Sequence, residues 1–178
     1  PPMPSGVKDD ILRGMYQLQA GGKGKVRVQL MGSGTILREV IGAAELLMQD
    51  FGIPSDIWSV TSFNELRREA LATERWNQLH PETEPRQSYL ELALAHREGP
   101  YIAATDYMKI HADQIRNFIK DRQFTVLGTD GFGRSDTRMK LRKHFEINRY
   151  YIAVAALKVL ADDGQISADQ VREAISKY

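Results

Sequence analysis

The sequence predicts an α/β protein, a three-layer α/β/α sandwich whose five-stranded mixed sheet has its first strand antiparallel to the others. Alternating or continuous apolar residues mark five short strand-like segments. Helical periodicity separates most of these segments, which is typical of a mostly parallel sheet covered on both faces. Only a glycine-rich turn, residues 21–24 (Gly-Gly-Lys-Gly), and Lys25 separate the first two segments. Because a parallel crossover needs about a dozen residues or more, we expect an antiparallel hairpin at this point.

Apolar alternation and short apolar runs place the strands. The predicted strands cover residues 16–20, 26–32, 53–60, 101–105 and 124–127. The first two alternate apolar with polar residues, and the third contains Ile57, Trp58 and Val60. The last two are short apolar runs that end at Asp106 and at Gly128.

Apolar residues at helical spacing place the helices between and after these strands. The predicted helices cover residues 35–51, 62–76, 88–96, 108–119, 135–145, 148–163 and 167–178. Gly52 supplies a left-handed cap for the first of them, and residues 77–87 form a surface loop after the second. Side chains that favour a helix start predict N-caps at Ser62, at Ser135 or Asp136, at Asn148 and at Ser167.

The amino-acid composition favours a globular protein and excludes several kinds of chemistry. A chain of 178 residues with 42% hydrophobic and 26% charged residues is typical of one soluble globular domain, here expected to span residues 1–178. The net charge of +1 gives no electrostatic reason to expect a nucleic acid or an anionic membrane as partner. The absence of cysteine excludes disulfides and thiolate chemistry and fits a cytoplasmic location.

Neither a signal peptide nor a membrane-spanning segment is recognisable in the given sequence. The longest strongly apolar run, residues 150–157, falls well short of the roughly 20 residues that a transmembrane helix needs. The first residues lack the basic and apolar regions of a signal peptide. The chain begins Pro-Pro rather than with Met and stops within a helical pattern, so we expect it to be a piece of a longer protein.

Two loops are candidate interaction sites. Residues 128–138 form the densest polar and glycine-rich segment, at the carboxyl end of a predicted strand, where open parallel sheets place ligands and interfaces. The charged residues of this segment that can form ion pairs are Asp130, Arg134, Asp136 and Arg138. The second loop follows Trp76. The candidate interface residues of the two loops are Trp76, His80, Asp130, Phe132, Arg134, Asp136 and Arg138.

No catalytic constellation is found. Gly32-Ser33-Gly34 lies where a dinucleotide fingerprint would lie, but Leu37 replaces its third glycine, which favours a tight turn. The N-terminus of the following helix can still bind a phosphate. A free-standing α/β small-molecule or nucleotide-binding domain therefore remains the alternative. Asp106 is expected to cap a helix, with a ligand at the sheet edge as the alternative. The four histidines lack metal-ligand spacing, and no serine nucleophile elbow is present, so a hydrolase ranks last.

Several separated segments, taken in order, closely resemble one enzyme family. They are residues 59–66 (Ser-Val-Thr-Ser-Phe-Asn-Glu-Leu), 74–81 (Glu-Arg-Trp-Asn-Gln-Leu-His-Pro), 104–109 (Ala-Thr-Asp-Tyr-Met-Lys) and 127–136. The family is the homodimeric bacterial type of pyruvate dehydrogenase, the decarboxylating first component of the pyruvate dehydrogenase complex. The chain resembles only its carboxyl-terminal third domain, which is similar to the transketolase C-terminal domain. The resemblance implies a three-layer fold with one antiparallel strand in a five-stranded sheet.

The resemblance also implies a role for the chain. The full enzyme of this family uses thiamine diphosphate and magnesium, decarboxylates pyruvate and acetylates the lipoyl group of the dihydrolipoyl acetyltransferase. Its metal–diphosphate motif, Gly-Asp-Gly followed by an asparagine, is matched neither by residues 162–164 nor by residues 129–131. No catalytic, cofactor-binding or metal residue is therefore carried over. The implied role is structural, with the N-terminal and middle domains and a homodimer partner as neighbours, and the chain alone is expected to be inactive.

Overall fold

Five strands form one mixed sheet in the computed structural model, which describes residues 3–120 and 122–178. The strands are β1 (Met15–Gln19), β2 (Val28–Gly32), β3 (Ser55–Val60), β4 (Tyr101–Ala104) and β5 (Phe124–Leu127). Their order across the sheet is β1-β3-β2-β4-β5. β1 is antiparallel to β3, and every other neighbouring pair is parallel. The predicted mixed sheet, with its first strand reversed, is confirmed.

The predicted hairpin between the first two strands is wrong, because β1 pairs with β3 and not with β2. The glycine-rich connection crosses the amino end of β3, where the buried Asp56 carboxylate holds it. Asp56 accepts hydrogen bonds from the Gly21 N–H (2.8 Å), from Gln17 Nε2 (3.3 Å) and from Arg27 Nη2 (3.0 Å). A Cβ atom on Gly21 would lie 2.8 Å from the carbonyl oxygen of Ser55, so the connection passes close against β3.

Helices cover both faces of the sheet and its ends. They are α1 (Lys8–Arg13), α2 (Leu37–Phe51), α3 (Phe63–Leu79), α4 (Tyr89–Leu94), α5 (Lys109–Asp113), α6 (Arg138–His144), α7 (Arg149–Asp162) and α8 (Ala168–Lys177). Short 3₁₀ turns cover Gly34–Ile36 and Arg116–Phe118. One apolar core lies between the sheet and the layer of α2, α7 and α8, and the other between the sheet and the layer of α3, α4 and α5. The predicted three layers are confirmed.

Side-chain caps define most helix starts where the sequence predicts them. Ser62 and Asn148 accept hydrogen bonds from N–H groups in the first turns of α3 and α7, and Ser167 forms a complete capping box at α8. The predicted cap of α6 at Ser135 or Asp136 is wrong. Thr137 caps this helix, since its hydroxyl accepts from the Lys140 N–H (3.4 Å).

The largest differences from the predicted elements concern two helices and one helix that was not predicted. The helix predicted over 108–119 is split into α5 and a 3₁₀ turn. α3 continues to Leu79, past the predicted end near Trp76. α1 was not predicted, because none of its residues is buried and it therefore has no apolar periodicity to detect.

Candidate functional site

The two predicted interface loops lie at opposite edges of the sheet. The glycine-rich loop follows β5 and therefore lies at the carboxyl edge of the parallel strands. α3 begins at this same edge, after β3, and runs back for 17 residues, about 25 Å at 1.5 Å per residue. Trp76 and His80 lie at its far end. The structure therefore does not bring the predicted site residues together into one site.

Trp76 belongs to a local stack of planar side chains. Its ring is stacked on the His80 ring, with 4.2 Å between centroids, and the Arg86 guanidinium lies 3.4 Å from the Trp76 ring centroid. The His80 Nδ1 atom lies 2.8 Å from the Trp76 carbonyl oxygen. Asn77 exchanges two hydrogen bonds with the Arg86 backbone, at 2.8 and 2.9 Å. These contacts give the turn after α3 a fixed shape and leave a half-buried aromatic surface.

The stem of the glycine-rich loop is fixed, whereas its tip is exposed. The Thr129 N–H donates to the Tyr107 carbonyl (2.8 Å), and Asp130 Oδ1 accepts from the Lys109 N–H (2.9 Å). At the tip, 92% of Phe132 is exposed. The loop is therefore anchored to the segment after β4 while it presents an aromatic ring to its surroundings.

Among the described residues, the ion pairs expected for the glycine-rich loop form at its two carboxylates but not at its arginines. The carboxylates pair with lysines outside it, Asp130 with Lys109 (4.0 Å) and Asp136 with Lys140 (3.7 Å). The loop arginines form no ion pair with any residue that the structure describes; they are Arg134 and Arg138. Both guanidinium groups remain available to a partner.

A cluster that sequence reasoning missed occupies the centre of the carboxyl edge; we call Thr35, Glu39, Asp106, Arg142 and Arg149 the arginine cluster. Only 9% of Arg142 is exposed. Its Nη2 atom donates to Thr35 Oγ1 (3.1 Å) and Asp106 Oδ2 (3.3 Å), and Nη1 lies 3.4 Å from Glu39 Oε1. The Thr35 hydroxyl donates to Asp106 Oδ2 (2.6 Å). These bonds connect the start of α2, the end of β4 and helix α6.

Glu39 is the second centre of the arginine cluster. Its Oε2 atom accepts from the backbone N–H (3.0 Å) and from Nε (3.1 Å) of Arg149, which begins α7. Burial opposes ionisation of this carboxyl, but the hydrogen bonds and charge of Arg149, with the nearby charge of Arg142, outweigh it. The net effect lowers the pKa of Glu39 below its ordinary value. Glu39 is therefore held as a carboxylate.

The described carboxylates near the candidate loops do not fit a magnesium diphosphate site. Mg²⁺ is held by carboxylate oxygens that are free to bind it. The carboxylates nearest to the candidate loops are instead engaged by cations, since Glu39 and Asp106 bind arginine and Asp130 faces Lys109. Asp162 pairs with Lys158 at the end of α7. Across residues 3–120 and 122–178 no group of His, Asp or Glu side chains has an arrangement that could hold a metal ion.

The crevice proposed for a phosphate contains a carboxylate of the chain itself. β2 and β4 are neighbours at the point where the strand order reverses, the usual ligand position in open α/β sheets. The turn Gly32-Ser33-Gly34 lies here, and Ser33 Oγ donates to Thr105 Oγ1 (3.2 Å). Asp106 binds the Thr35 hydroxyl at the start of the adjacent helix. This geometry counts against a nucleotide site.

The predicted role of Asp106 as a helix cap is wrong. The residue before α5 is Met108, and no side-chain hydrogen bond caps that helix. Asp106 instead turns toward Thr35 and Arg142, which lie 71 and 36 residues away along the chain. The one available signal was the position of Asp106 at the carboxyl end of a strand, and it does not identify the partner.

Comparison with known proteins identifies the family that has this fold. Residues 14–148 match the family described as Transketolase-like TK C-terminal domain. Among solved structures, transketolase from Campylobacter jejuni has a TM-score of 0.56 at 18% identity and covers 82% of this chain and 18% of its own. A Pichia stipitis transketolase complex has a TM-score of 0.55 at 20% identity and covers 88% of this chain and 20% of its own. At these identities the likeness concerns the fold.

Relatives of higher sequence identity are pyruvate dehydrogenase E1 components. The pyruvate dehydrogenase E1 component of Pseudomonas aeruginosa is 57% identical, that of Cupriavidus necator 55% and that of Escherichia coli 49%, each over all of this chain. The chain spans 20% of the length of these relatives and corresponds to their C-terminal region. No helix in the described part of the chain combines the length and the hydropathy that a bilayer-spanning segment requires. By its fold and its family match, the chain belongs to the transketolase-like C-terminal domain family.

Proposed function

We propose that the chain is a non-catalytic, dimer-supporting C-terminal domain of a pyruvate dehydrogenase E1 component. The observation that carries this proposal is 57% identity, over the full length of the chain, to 20% of one such protein. The arginine cluster supports a structural role. Glu39 is bound by Arg142 and Arg149, which hold its pKa below the ordinary value, so it is poorly suited to exchange protons near neutral pH.

In this proposal the reaction belongs to the longer polypeptide. That protein decarboxylates pyruvate with thiamine diphosphate and magnesium, which its other domains bind, and then reductively acetylates the lipoyl group of the dihydrolipoyl acetyltransferase. It acts in the cytoplasm as a homodimer. The N-terminal and middle domains of the same polypeptide and the partner subunit are the direct neighbours of this domain.

The two loops are the proposed contacts with those neighbours. Phe132 and Arg134 form the exposed tip of the glycine-rich loop, and neither is needed for the core of this domain. The stack of Trp76, His80 and Arg86 presents a preformed aromatic surface at the other edge. Aromatic and arginine side chains carry much of the binding energy at protein interfaces.

The test uses the longer natural protein with Arg134→Ala and Trp76→Ala, and Arg172→Ala, at an exposed position of α8, as the control. We expect each loop variant to lower the dimer fraction in sedimentation or the rate of pyruvate turnover, whereas the control leaves both unchanged. Unchanged sedimentation and turnover in both loop variants would discard the interface assignment.

A second measurement separates this proposal from the nucleotide-binding alternative. The 178-residue chain is titrated calorimetrically with thiamine diphosphate and with nucleotides, and is assayed alone with pyruvate. We expect no stoichiometric heat and no turnover. A stoichiometric endpoint with a nucleotide would favour the alternative, and turnover by the chain alone would contradict a non-catalytic domain.

A further inference from the structure

An exposed apolar ridge lies at the carboxyl edge beside the arginine cluster; we define the apolar ridge as Tyr107, Met108, Ile110 and Phe132. The first three follow β4 and are 64%, 58% and 66% exposed. We count Phe132, which is 92% exposed, with them because it lies two residues after Asp130, whose Oδ1 atom accepts a hydrogen bond from the Lys109 N–H. Single exposed apolar residues are ordinary, but several in one place mark an interaction surface.

A groove of about 720 Å³ lies beside the ridge, between the start of α3 and helix α5. Gln114 Nε2 donates to Asn64 Oδ1 (2.7 Å) and so joins the two helices that border it. The rings of Tyr107 and His111 lie 4.9 Å apart at its edge. The ridge and groove thus form a shaped surface whose borders are fixed by contacts within the chain.

The charges around this surface are unbalanced. Arg67, which lines the groove, and Arg134, two residues after Phe132 in the glycine-rich loop, form no ion pair with any residue in the described ranges. Arg116, also at the groove, differs because it pairs with Asp113. An occupant with an apolar face bordered by carboxylates would satisfy both free arginines.

The course of the chain favours one occupant. β1 is antiparallel, so Met15 lies opposite Val60, at the carboxyl end of β3. α1, which precedes β1, is held at that end because the Thr61 hydroxyl donates to the Ile11 carbonyl (2.7 Å). Residues on the N-terminal side of β1 therefore leave the sheet at the edge that carries the apolar ridge. A domain tethered there has a high effective concentration at this surface.

We propose that the apolar ridge is the docking surface for the preceding domain of the same polypeptide, which presents an apolar face bordered by carboxylates. This inference rests on one part of the proposed function, namely that the natural protein continues on the N-terminal side. It adds Tyr107, Met108 and Ile110 to the loop contact at Phe132, and it assigns the preceding domain, rather than the partner subunit, to this surface.

The experiment compares two isoleucines in the longer natural protein. Ile110 lies on the ridge, and Ile175 is 62% exposed on α8, so it provides a control of the same type and exposure. A benzophenone amino acid replaces one or the other, and the crosslinked peptides are mapped after irradiation. Mixing isotopically labelled and unlabelled subunits separates crosslinks within a chain from those between copies. We expect the probe at position 110, but not that at 175, to crosslink within its chain to an apolar and acidic segment of the preceding domain.

Hydrogen exchange supplies a second readout. Ile110→Asp in the longer protein should speed exchange of amides 107–114 by about tenfold, because a buried charge weakens docking, whereas Ile175→Asp should leave them unchanged. Crosslinks from position 110 confined to a second copy would overturn the assigned occupant. A crosslink yield no higher than at position 175 would overturn the docking surface. Intrachain crosslinks in a protein without pyruvate turnover would support this inference and contradict the proposed function.

Discussion

Arg142 connects three parts of the carboxyl edge that are distant along the chain. Its guanidinium binds Thr35 and Glu39 near the start of α2 and Asp106 after β4. Two negative charges and one hydroxyl share this single cation, and Arg149 supports Glu39 from the start of α7. Arg142 therefore anchors α6 to this edge of the sheet.

The variant Arg142→Met tests this dependence at the residue scale. We expect it to lower the free energy of unfolding by about 2–4 kcal/mol, because it leaves carboxylates without their buried partner. Urea denaturation of the 178-residue chain measures the effect. Arg172→Met, which removes an exposed pair with Asp169, should change stability by less than about 1 kcal/mol. Equal effects of the two variants would contradict a structural role for the arginine cluster.

The lowered pKa of Glu39 predicts how the free energy of unfolding changes with pH. The folded state holds this carboxyl ionised at a pH where the unfolded state already binds a proton. Its contribution is therefore complete above the ordinary value of 4.5 and is lost as the pH falls toward the lowered folded pKa. Glu39→Gln should be less stable than the parent chain at pH 7, and the gap should narrow in acid.

The measurement is a series of urea denaturations between neutral and acidic pH. Glu82→Gln, at an exposed loop position, controls for the change in net charge. A gap between the Glu39 variant and the parent chain that stays constant or widens in acid would contradict this sign.

Residue types alone did not reveal the arginine cluster. Arg142 lies in a helix rich in basic residues, and its partners are 36, 103 and 107 positions away. Local spacing carries no information about such contacts. Ser62 and Ser167, in contrast, contact groups three residues away, so their spacing predicted the caps correctly.

At the scale of elements, the same distinction separates the confirmed strands from the wrong hairpin. Apolar runs such as the one at β4 are visible within a few residues. The pairing of β1 depends on Asp56, which binds Gly21 and Arg27 from opposite ends of the connection. A short glycine-rich connection limits how far a strand can travel, but it does not fix which strand it pairs with.

Gly99 predicts a strong element-scale effect just before β4. Its φ angle is +86°, and a Cβ atom there would lie 2.0 Å from the Arg27 carbonyl oxygen. Gly99→Ala should therefore lower the unfolding free energy by more than about 3 kcal/mol, because backbone must move. Gly164→Ala, with a φ of +68° and open space around it, isolates the conformational cost of about 1–2 kcal/mol. Similar thermal unfolding of the two variants would refute the close approach between Gly99 and the start of β2.

At the scale of the whole molecule, a change at Phe132 distinguishes the stability of this domain from its contacts with other domains. Because it is almost fully exposed, Phe132→Ser should change the stability of the 178-residue chain by no more than about 0.5 kcal/mol. In the longer natural protein the same change should lower the melting temperature, since the ring would lose a contact. Leu92→Ser, at an exposed position of α4, is the control. A large loss of stability in the isolated chain would mean that Phe132 serves folding.

The Asp106 carboxylate occupies the position in the crevice between β2 and β4 where a bound anion would lie. The hydroxyl and guanidinium that could receive a dissolved anion already hold a carboxylate that cannot diffuse away. A phosphate from solution would have to displace a rival fixed to the same backbone, whose local concentration lies far above cellular metabolite levels. The position where open α/β sheets usually bind small molecules is therefore used here for contacts within the chain. These contacts join the ends of two strands to helix α6.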